Sequence, residues 1–156
     1  MRICLLSERM MPPFDEGIKN YALQLARSLA DGNDVLVLTA LAEDVPEHGI
    51  ANAASNKLLF SARLARRLGR FAPDLVIYVP TACATPFSFL RARALKAFAG
   101  GSATLLIALQ PRSYGWLARA FMGHLAPDLV LSQCEGTIAP LRALGCRVAR
   151  LPPGVD

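Results

Sequence analysis

At 156 residues, the chain is long enough for one domain with a substantial core and too short for two full domains. It is 53% hydrophobic and 19% charged, which argues against disorder, and no apolar run approaches the roughly 20 residues of a membrane span. The net charge of +5 is modest, and its basic residues are not interleaved with aromatic side chains in a binding motif, so we expect no nucleic-acid partner.

The N-terminus and the cysteines bear on the compartment and on metal binding. The N-terminus lacks a signal-peptide cleavage pattern, so we expect a cytoplasmic protein. The cysteines show neither CxxC nor CxxH spacing, which favours buried free thiols over disulfides or metal ligands, and the two histidines are not at metal-ligand spacing either. The cysteines are Cys4, Cys83, Cys134 and Cys146, and the histidines are His48 and His124.

The first 39 residues predict a strand, a helix and a second strand. Residues 3–6 are wholly apolar, which is typical of a strand that is buried on both faces. From residue 18 to residue 29 the apolar positions recur at the i, i+3, i+4, i+7 spacing that only a helix places on one face. A turn at 31–33 then leads into a second apolar run at 34–39, which completes a βαβ unit.

The same alternation continues to the end of the chain. Helices are predicted over 58–71, 87–98, 116–125 and 138–144, and strands over 75–79, 103–109, 129–131 and 147–151, with a rudimentary strand at 50–53. Uniformly apolar strands suit a parallel sheet that is covered by helices on both faces. We therefore predict an α/β fold, a doubly wound Rossmann-like three-layer sandwich with a mostly parallel sheet of about six or seven strands, in a single domain spanning 1–156.

Ligands of such sheets bind at the carboxyl ends of the strands, near the switch point beside the first strand. The loops predicted there are residues 7–17, 80–86 and 110–115. The nicotinamide fingerprint GxGxxG, the P-loop GxxxxGK[ST], GxSxG and HExxH are all missing from the chain, so the corresponding chemistries are not predicted.

Two predicted helices carry basic stripes. Arginines at 63, 66, 67 and 70 follow the i, i+3, i+4, i+7 spacing, and a second basic group at 91, 93 and 96 lies on the next helix. One interpretation is a solvated helix face. The other is contact with an anionic partner: a lipid headgroup, a phosphorylated acceptor or another subunit.

The order of several short segments resembles the N-terminal domain of family 4 (group 1) glycosyltransferases. After the first strand comes a prolyl loop, then a glycine-isoleucine step and a helix that carries a tyrosine. These segments are Pro12-Pro13-Phe14-Asp15-Glu16-Gly17-Ile18-Lys19-Asn20-Tyr21, Pro73-Asp74-Leu75-Val76, Asp128-Leu129-Val130-Leu131 and Leu151-Pro152-Pro153-Gly154-Val155-Asp156, and together they extend over essentially the whole chain.

The resemblance implies a GT-B fold, in which two Rossmann-like domains face each other across a cleft, and it implies that the C-terminal donor domain is absent from this chain. It also implies a retaining transfer of a sugar from a nucleotide-diphosphate sugar, with no metal and no other cofactor. Gly17, with Glu16 and Ile18, matches the loop that approaches the donor diphosphate, and a helix start rich in N–H groups is an anion site on physical grounds. The residues that we expect to line the acceptor cleft are Tyr78, Thr81, Gln110 and Arg112, and no catalytic residue is assigned.

The chain also departs from the family pattern. Glu16 stands where the family has a second glycine, and a carboxylate beside a diphosphate is repulsive, so either Glu16 turns outward or the site is altered. Histidines that the family carries are missing in the region of residues 77–80 and at Gln110. A catalytically inactive glycosyltransferase-like binding or regulatory module is therefore the alternative. An unrelated flavodoxin-like domain is a third possibility, which the long prolyl first loop disfavours.

The resemblance and the basic stripes together give the expected partners. These are a nucleotide-sugar donor, a sugar or lipid-linked acceptor and the protein's own C-terminal domain. The arginine stripes add a peripheral contact with an anionic membrane, on its inner face.

Overall fold

A computed structural model describes residues 1–40, 42–56, 60–80, 83–110 and 112–151, apart from the side chain of Leu117. In these ranges seven strands form one sheet in the order β3-β2-β1-β4-β5-β6-β7, and every neighbouring pair is parallel. The strands are β1 (Arg2–Ser7), β2 (Asp34–Thr39), β3 (Ile50–Asn52), β4 (Leu75–Val79), β5 (Ala103–Ala108), β6 (Leu129–Ser132) and β7 (Val148–Arg150). The α-helices are α1 (Gly17–Ala30), α2 (Ala62–Phe71), α3 (Pro86–Phe98), α4 (Trp116–Met122) and α5 (Glu135–Ala143).

The predicted α/β sandwich is confirmed; strand ends differ from the prediction by at most one residue, and the larger differences lie at helix ends. α2 begins at Ala62 because Ser61 caps it, with the Ser61 hydroxyl accepting from the Leu64 amide at 3.4 Å. The predicted start at residue 58 lies outside the described residues. α5 begins at Glu135, three residues before the predicted start, because a carboxylate in the first turn suits the helix dipole although it breaks the apolar pattern. α4 ends at Met122, and a short 3-10 helix continues to Leu125.

The helices are distributed unequally over the two faces of the sheet. Buried side chains of α2, α3, α4 and α5 share one apolar cluster with one face of the strands, whereas only α1 contributes to the cluster on the opposite face. Right-handed crossovers explain this arrangement, because the chain moves in one direction from β3 through β4 to β7 and in the opposite direction only from β1 to β3. A 3-10 helix at Pro46–His48 replaces a crossover helix between β2 and β3.

The cysteines follow the sequence expectation only in part. All four cysteines are free thiols, but Cys83 and Cys134 are half-buried, whereas Cys4 and Cys146 are buried as predicted. In the described part of the chain, no group of three or more His, Cys, Asp or Glu side chains could hold a metal ion. Within the same ranges, no helix is long and apolar enough to cross a membrane.

Candidate functional site

The topological switch point lies between β1 and β4, where the chain leaves the two neighbouring strands in opposite directions. Two hydrogen bonds fix the loops at this edge. The Met10 amide donates to the buried Thr39 hydroxyl at 3.0 Å, which holds the loop after β1 against the end of β2. The Tyr114 hydroxyl donates to the carbonyl of Ala84 at 3.0 Å, which ties the loop after β5 to the loop after β4. Burial raises the pKa of Tyr114 to about 12, so this donor keeps its proton at neutral pH.

An open cavity of about 550 Å³ lies at this edge, between the start of α1 and the ends of β5 and β6. It brings together four of the residues that were predicted to bind ligands, three from the first loop and Gln110 from the loop after β5. The lining residues are Glu16, Gly17, Ile18, Tyr21, Leu109, Gln110 and Gln133.

The start of α1 presents unsatisfied backbone donors to this cavity. The Asn20 amide donates to the Glu16 carbonyl at 2.9 Å, and it is the first amide that can find an acceptor within the helix. No described side chain caps the amides of residues 17–19, and no acidic residue lies in the first turn. Together with the positive end of the helix dipole, these amides suit a negatively charged ligand.

Glu16 is positioned so that its charge is largely compensated. Its side chain is 68% exposed, and its Oε1 lies 2.9 Å from Nζ of Lys19, one helical turn further on. The carboxylate therefore points into solvent and forms an ion pair, which reduces the repulsion that a diphosphate would meet at this helix start.

Gly17 occupies an open position. It is the first residue of α1, its φ is not in the left-handed region, and a Cβ added to it would meet no atom within 4 Å. Nothing in the described residues therefore requires glycine here, and the backbone at this position is open to solvent.

A second polar cluster at the same edge, formed by Glu8, Tyr78 and Arg91, is largely shielded from solvent, and we call it the closed cluster. The carboxylate of Glu8, directly after β1, accepts hydrogen bonds from the Tyr78 hydroxyl on β4 and from Nη1 of Arg91 on α3. Arg91 Nη1 also donates to the Tyr78 hydroxyl at 3.1 Å. The side chains of Glu8 and Arg91 are only 12% and 16% exposed, and that of Tyr78 is fully buried. Burial, followed by the charge of Glu8, raises the pKa of Tyr78, which therefore remains a hydrogen-bond donor.

A small cavity of about 190 Å³ lies beside this cluster, and Glu8, Cys83 and Arg91 contribute to its walls. Arg112, on the loop after β5, is exposed, and its Nη1 donates to Cys83 Sγ at 3.2 Å. The Arg91 Nε atom is buried and has no hydrogen-bond partner among the described residues. Cys83 lines the small cavity and Arg112 lies on the exposed rim of this edge, so the hydrogen bond between them links the cavity wall to the rim.

The predicted site residues therefore fall into three groups. Glu16, Gly17, Ile18 and Gln110 line one cavity, Arg112 lies on the exposed rim, and Tyr78 lies inside the fold behind Glu8 and Arg91 rather than on a cleft surface. Thr81 lies outside the described residues.

Four further residues of this edge were not assigned to the site from the sequence: Glu8, Arg91, Tyr21 and Gln133. Glu8 could have been found, since it is the first charged residue after the first strand, at the edge where ligands bind. The sequence pattern places Arg91 on a basic helix face, and no local pattern indicates its contact with a residue 83 positions earlier.

The fold and this edge define an all-parallel Rossmann-like sandwich with an open cavity at the carboxyl edge of its sheet, beside the start of α1. Comparison of the chain with protein-family models finds no match, and comparison with curated proteins finds none either.

Proposed function

We propose that the chain is the acceptor-binding half of a retaining glycosyltransferase that transfers a sugar from a nucleotide-diphosphate sugar. The resemblance to family 4 (group 1) glycosyltransferases supplies the reaction class. The observation that carries the proposal is the cavity beside the start of α1, which is lined by the uncapped start of that helix and by Gln110 from the loop after β5. In this proposal the donor sugar is held mainly by a C-terminal domain across the cleft.

The donor diphosphate contacts the backbone of residues 17–19. Support comes from the amides that lack a hydrogen-bond acceptor among the described residues and from the open space at Gly17. The ion pair of Glu16 with Lys19 adds to this support, because it reduces the repulsion of an anion. Another cavity, of about 610 Å³, is less suitable for a diphosphate because its walls include the carboxylates of Glu43, Asp44 and Glu47.

The acceptor lies on the side of Gln110 and Arg112. Gln110 offers both amide donors and a carbonyl acceptor to sugar hydroxyls, and the exposed Arg112 adds a cation at the rim. Tyr78 is buried and bonds to Glu8 and Arg91, so in this proposal it positions those two side chains and does not contact the acceptor. The proposal assigns no catalytic residue and no metal.

Turnover by the full-length protein tests this proposal. A panel of UDP-, GDP- and ADP-sugars is supplied, and sugar transfer or donor hydrolysis is measured for the natural protein and for Gly17→Trp, which places an indole in the cavity. The matched control is Gly69→Trp on α2, where an added Cβ also meets nothing within 4 Å. We expect turnover that Gly17→Trp abolishes and Gly69→Trp keeps. Equal activity of both variants would refute a diphosphate at the first loop.

The isolated chain of 156 residues provides a second test. Because half of the proposed cleft belongs to another domain, we expect these residues alone to give no sugar transfer. Transfer by the isolated chain would contradict the two-domain proposal.

A catalytically inactive binding or regulatory module is the second candidate. The observation that favours it is Glu16, because its carboxylate lies at the mouth of the cavity and loses its compensation whenever Lys19 moves away. Saturable binding of a nucleoside diphosphate to the folded full-length protein, without turnover of any donor, would favour the module over the enzyme.

A further inference from the structure

Charge is distributed very unevenly along the chain. Residues 48–127 contain ten Lys or Arg side chains and a single carboxylate, that of Asp74. Residues 1–47 have the opposite balance, with eight carboxylates and four Lys or Arg side chains. The net charge of +5 therefore conceals one strongly basic part of the chain and one acidic part.

The fold gathers this basic part on one face. It supplies α2, α3 and α4, which pack side by side on the same face of the sheet; we call these three helices and the residues flanking them the basic layer. Three arginines of α2, at 63, 66 and 70, are exposed, and so is Arg93 of α3. None of these four has an ion-pair partner in the described ranges, whereas Arg91 and Lys96 of α3 are paired with Glu8 and Asp128.

The same layer carries the exposed aromatic side chains. Trp116 is 77% exposed and Phe121 63%, both on α4, and Phe87 at the start of α3 is 59% exposed. Phe60, just before α2, is 44% exposed. In the described part of the chain, no other aromatic side chain is as exposed as these four. The folding of a single domain gives no reason to leave such side chains in solvent.

We propose that the basic layer docks on an anionic lipid bilayer. Unpaired arginines without neighbouring carboxylates are attracted to acidic headgroups, and exposed Trp and Phe side chains gain by entering the interface between headgroups and acyl chains. Both features belong to the same layer of helices. This inference extends the proposed function, since it would place the enzyme at a membrane surface, but its test does not depend on sugar transfer.

The test is sedimentation of the purified protein with vesicles of phosphatidylcholine and phosphatidylglycerol, compared with vesicles of phosphatidylcholine alone. Arg63→Gln/Arg66→Gln/Arg70→Gln removes three unpaired cations but keeps Arg67, whose guanidinium donates to the Asn52 carbonyl at 2.6 Å. The matched control, Arg2→Gln/Arg27→Gln/Arg147→Gln, removes three exposed arginines outside the layer. A second variant, Trp116→Ser/Phe121→Ser, removes the aromatic contribution.

We expect binding to acidic vesicles that weakens with salt, falls roughly a hundredfold in the α2 variant and changes little in the control. We expect about a tenfold loss in the aromatic variant, with unchanged unfolding temperatures for all three. Equal binding to neutral vesicles, or an equal loss in the control variant, would overturn the proposal. Tighter binding to duplex RNA than to acidic vesicles, dependent on the same arginines, would overturn it in favour of a nucleic-acid surface.

Discussion

The start of α1 and the cluster of Glu8, Tyr78 and Arg91 lie at the same edge of the sheet but differ in how their polar groups are satisfied. At the start of α1 the amides of residues 17–19 have no acceptor among the described residues, and the neighbouring cavity is open. In the closed cluster, a carboxylate, a phenol and a guanidinium bond to one another with little exposure to solvent, and Arg91 Nε is left without a partner among the described residues. Neither polarity nor a single unfilled donor therefore identifies a ligand site at this edge; several unfilled donors beside an open cavity are the better indication.

The closed cluster is expected to stabilise the fold, and Glu8→Ala should show the largest effect. The substitution leaves the nearly buried guanidinium of Arg91 without its carboxylate and the Tyr78 hydroxyl without its acceptor. We expect the free energy of unfolding to fall by about 3 kcal/mol, measured by urea denaturation. Glu47→Ala is the control, since its side chain is exposed and takes part in no ion pair with the described residues. A similar loss in both variants would mean that the cluster has no special role.

The open site is expected to affect binding and not stability, and Gly17→Ala separates the two. A methyl group at this position meets no neighbour, and alanine is the better helix former, so the free energy of unfolding should stay constant or rise by up to about 1 kcal/mol. If a diphosphate approaches this backbone, its Kd should rise about tenfold, measured by titration calorimetry with nucleoside diphosphates. Unchanged affinity would place the anion elsewhere.

Tyr78→Phe probes the closed cluster without removing its ion pair. The ring remains in the core, and only the hydrogen bonds of the hydroxyl group are lost, so we expect a destabilisation of about 1 kcal/mol. The folded-state pKa of Tyr78 is raised above its ordinary 10.0, mainly by burial and then by the charge of Glu8. The folded state therefore holds this proton more tightly than the unfolded state, and its contribution to stability falls as the pH rises above about 10. The difference between natural protein and Tyr78→Phe should shrink over that range in urea titrations, and a constant difference would contradict a raised pKa.

Much of the fold could be predicted from the sequence, because the five inner strands of this sheet each contain an apolar run between turns, whereas the two short edge strands β3 and β7 do not. The unequal distribution of the helices over the two faces of the sheet could not be predicted in this way, because it depends on strand order. No local sequence pattern indicates that the chain crosses from β3 to β4 on the other side of β1. Gly17 and Gln110 line one cavity although β4 lies between their strands β1 and β5. The rule that ligands bind at the carboxyl ends of the strands predicts this edge of the sheet but not this pairing of residues.

The role of Tyr78 could not be predicted, for a reason specific to buried strands. In residues 75–79 both faces are apolar, so the pattern does not reveal which side chains point toward which helices. In the structure Tyr78 faces the layer of α2 to α5, where α3 supplies Arg91. Whether a polar side chain is exposed to a ligand or bonded inside the fold depends on partners that are far away in sequence. Composition and residue spacing carry no information about those partners.

The ion pair of Lys96 and Asp128 tests whether burial is what makes the closed cluster stabilising. Its chemistry is similar to that of Glu8 and Arg91, but it is more exposed to solvent. Its side chains are 27% and 41% exposed, and Lys96 Nζ lies 2.5 Å from Asp128 Oδ1. The hydrogen bond from Lys96, with a further one from the Thr104 amide, lowers the pKa of Asp128 below its ordinary 3.8. The stabilisation is therefore present at neutral pH and is lost as the pH falls below about 3.8 through the folded-state pKa. Because solvent screens the pair, Asp128→Asn should cost less than about 1 kcal/mol at pH 7, and almost nothing in acid, by urea denaturation at both pH values. A cost as large as that of Glu8→Ala would show that burial is not what distinguishes the closed cluster.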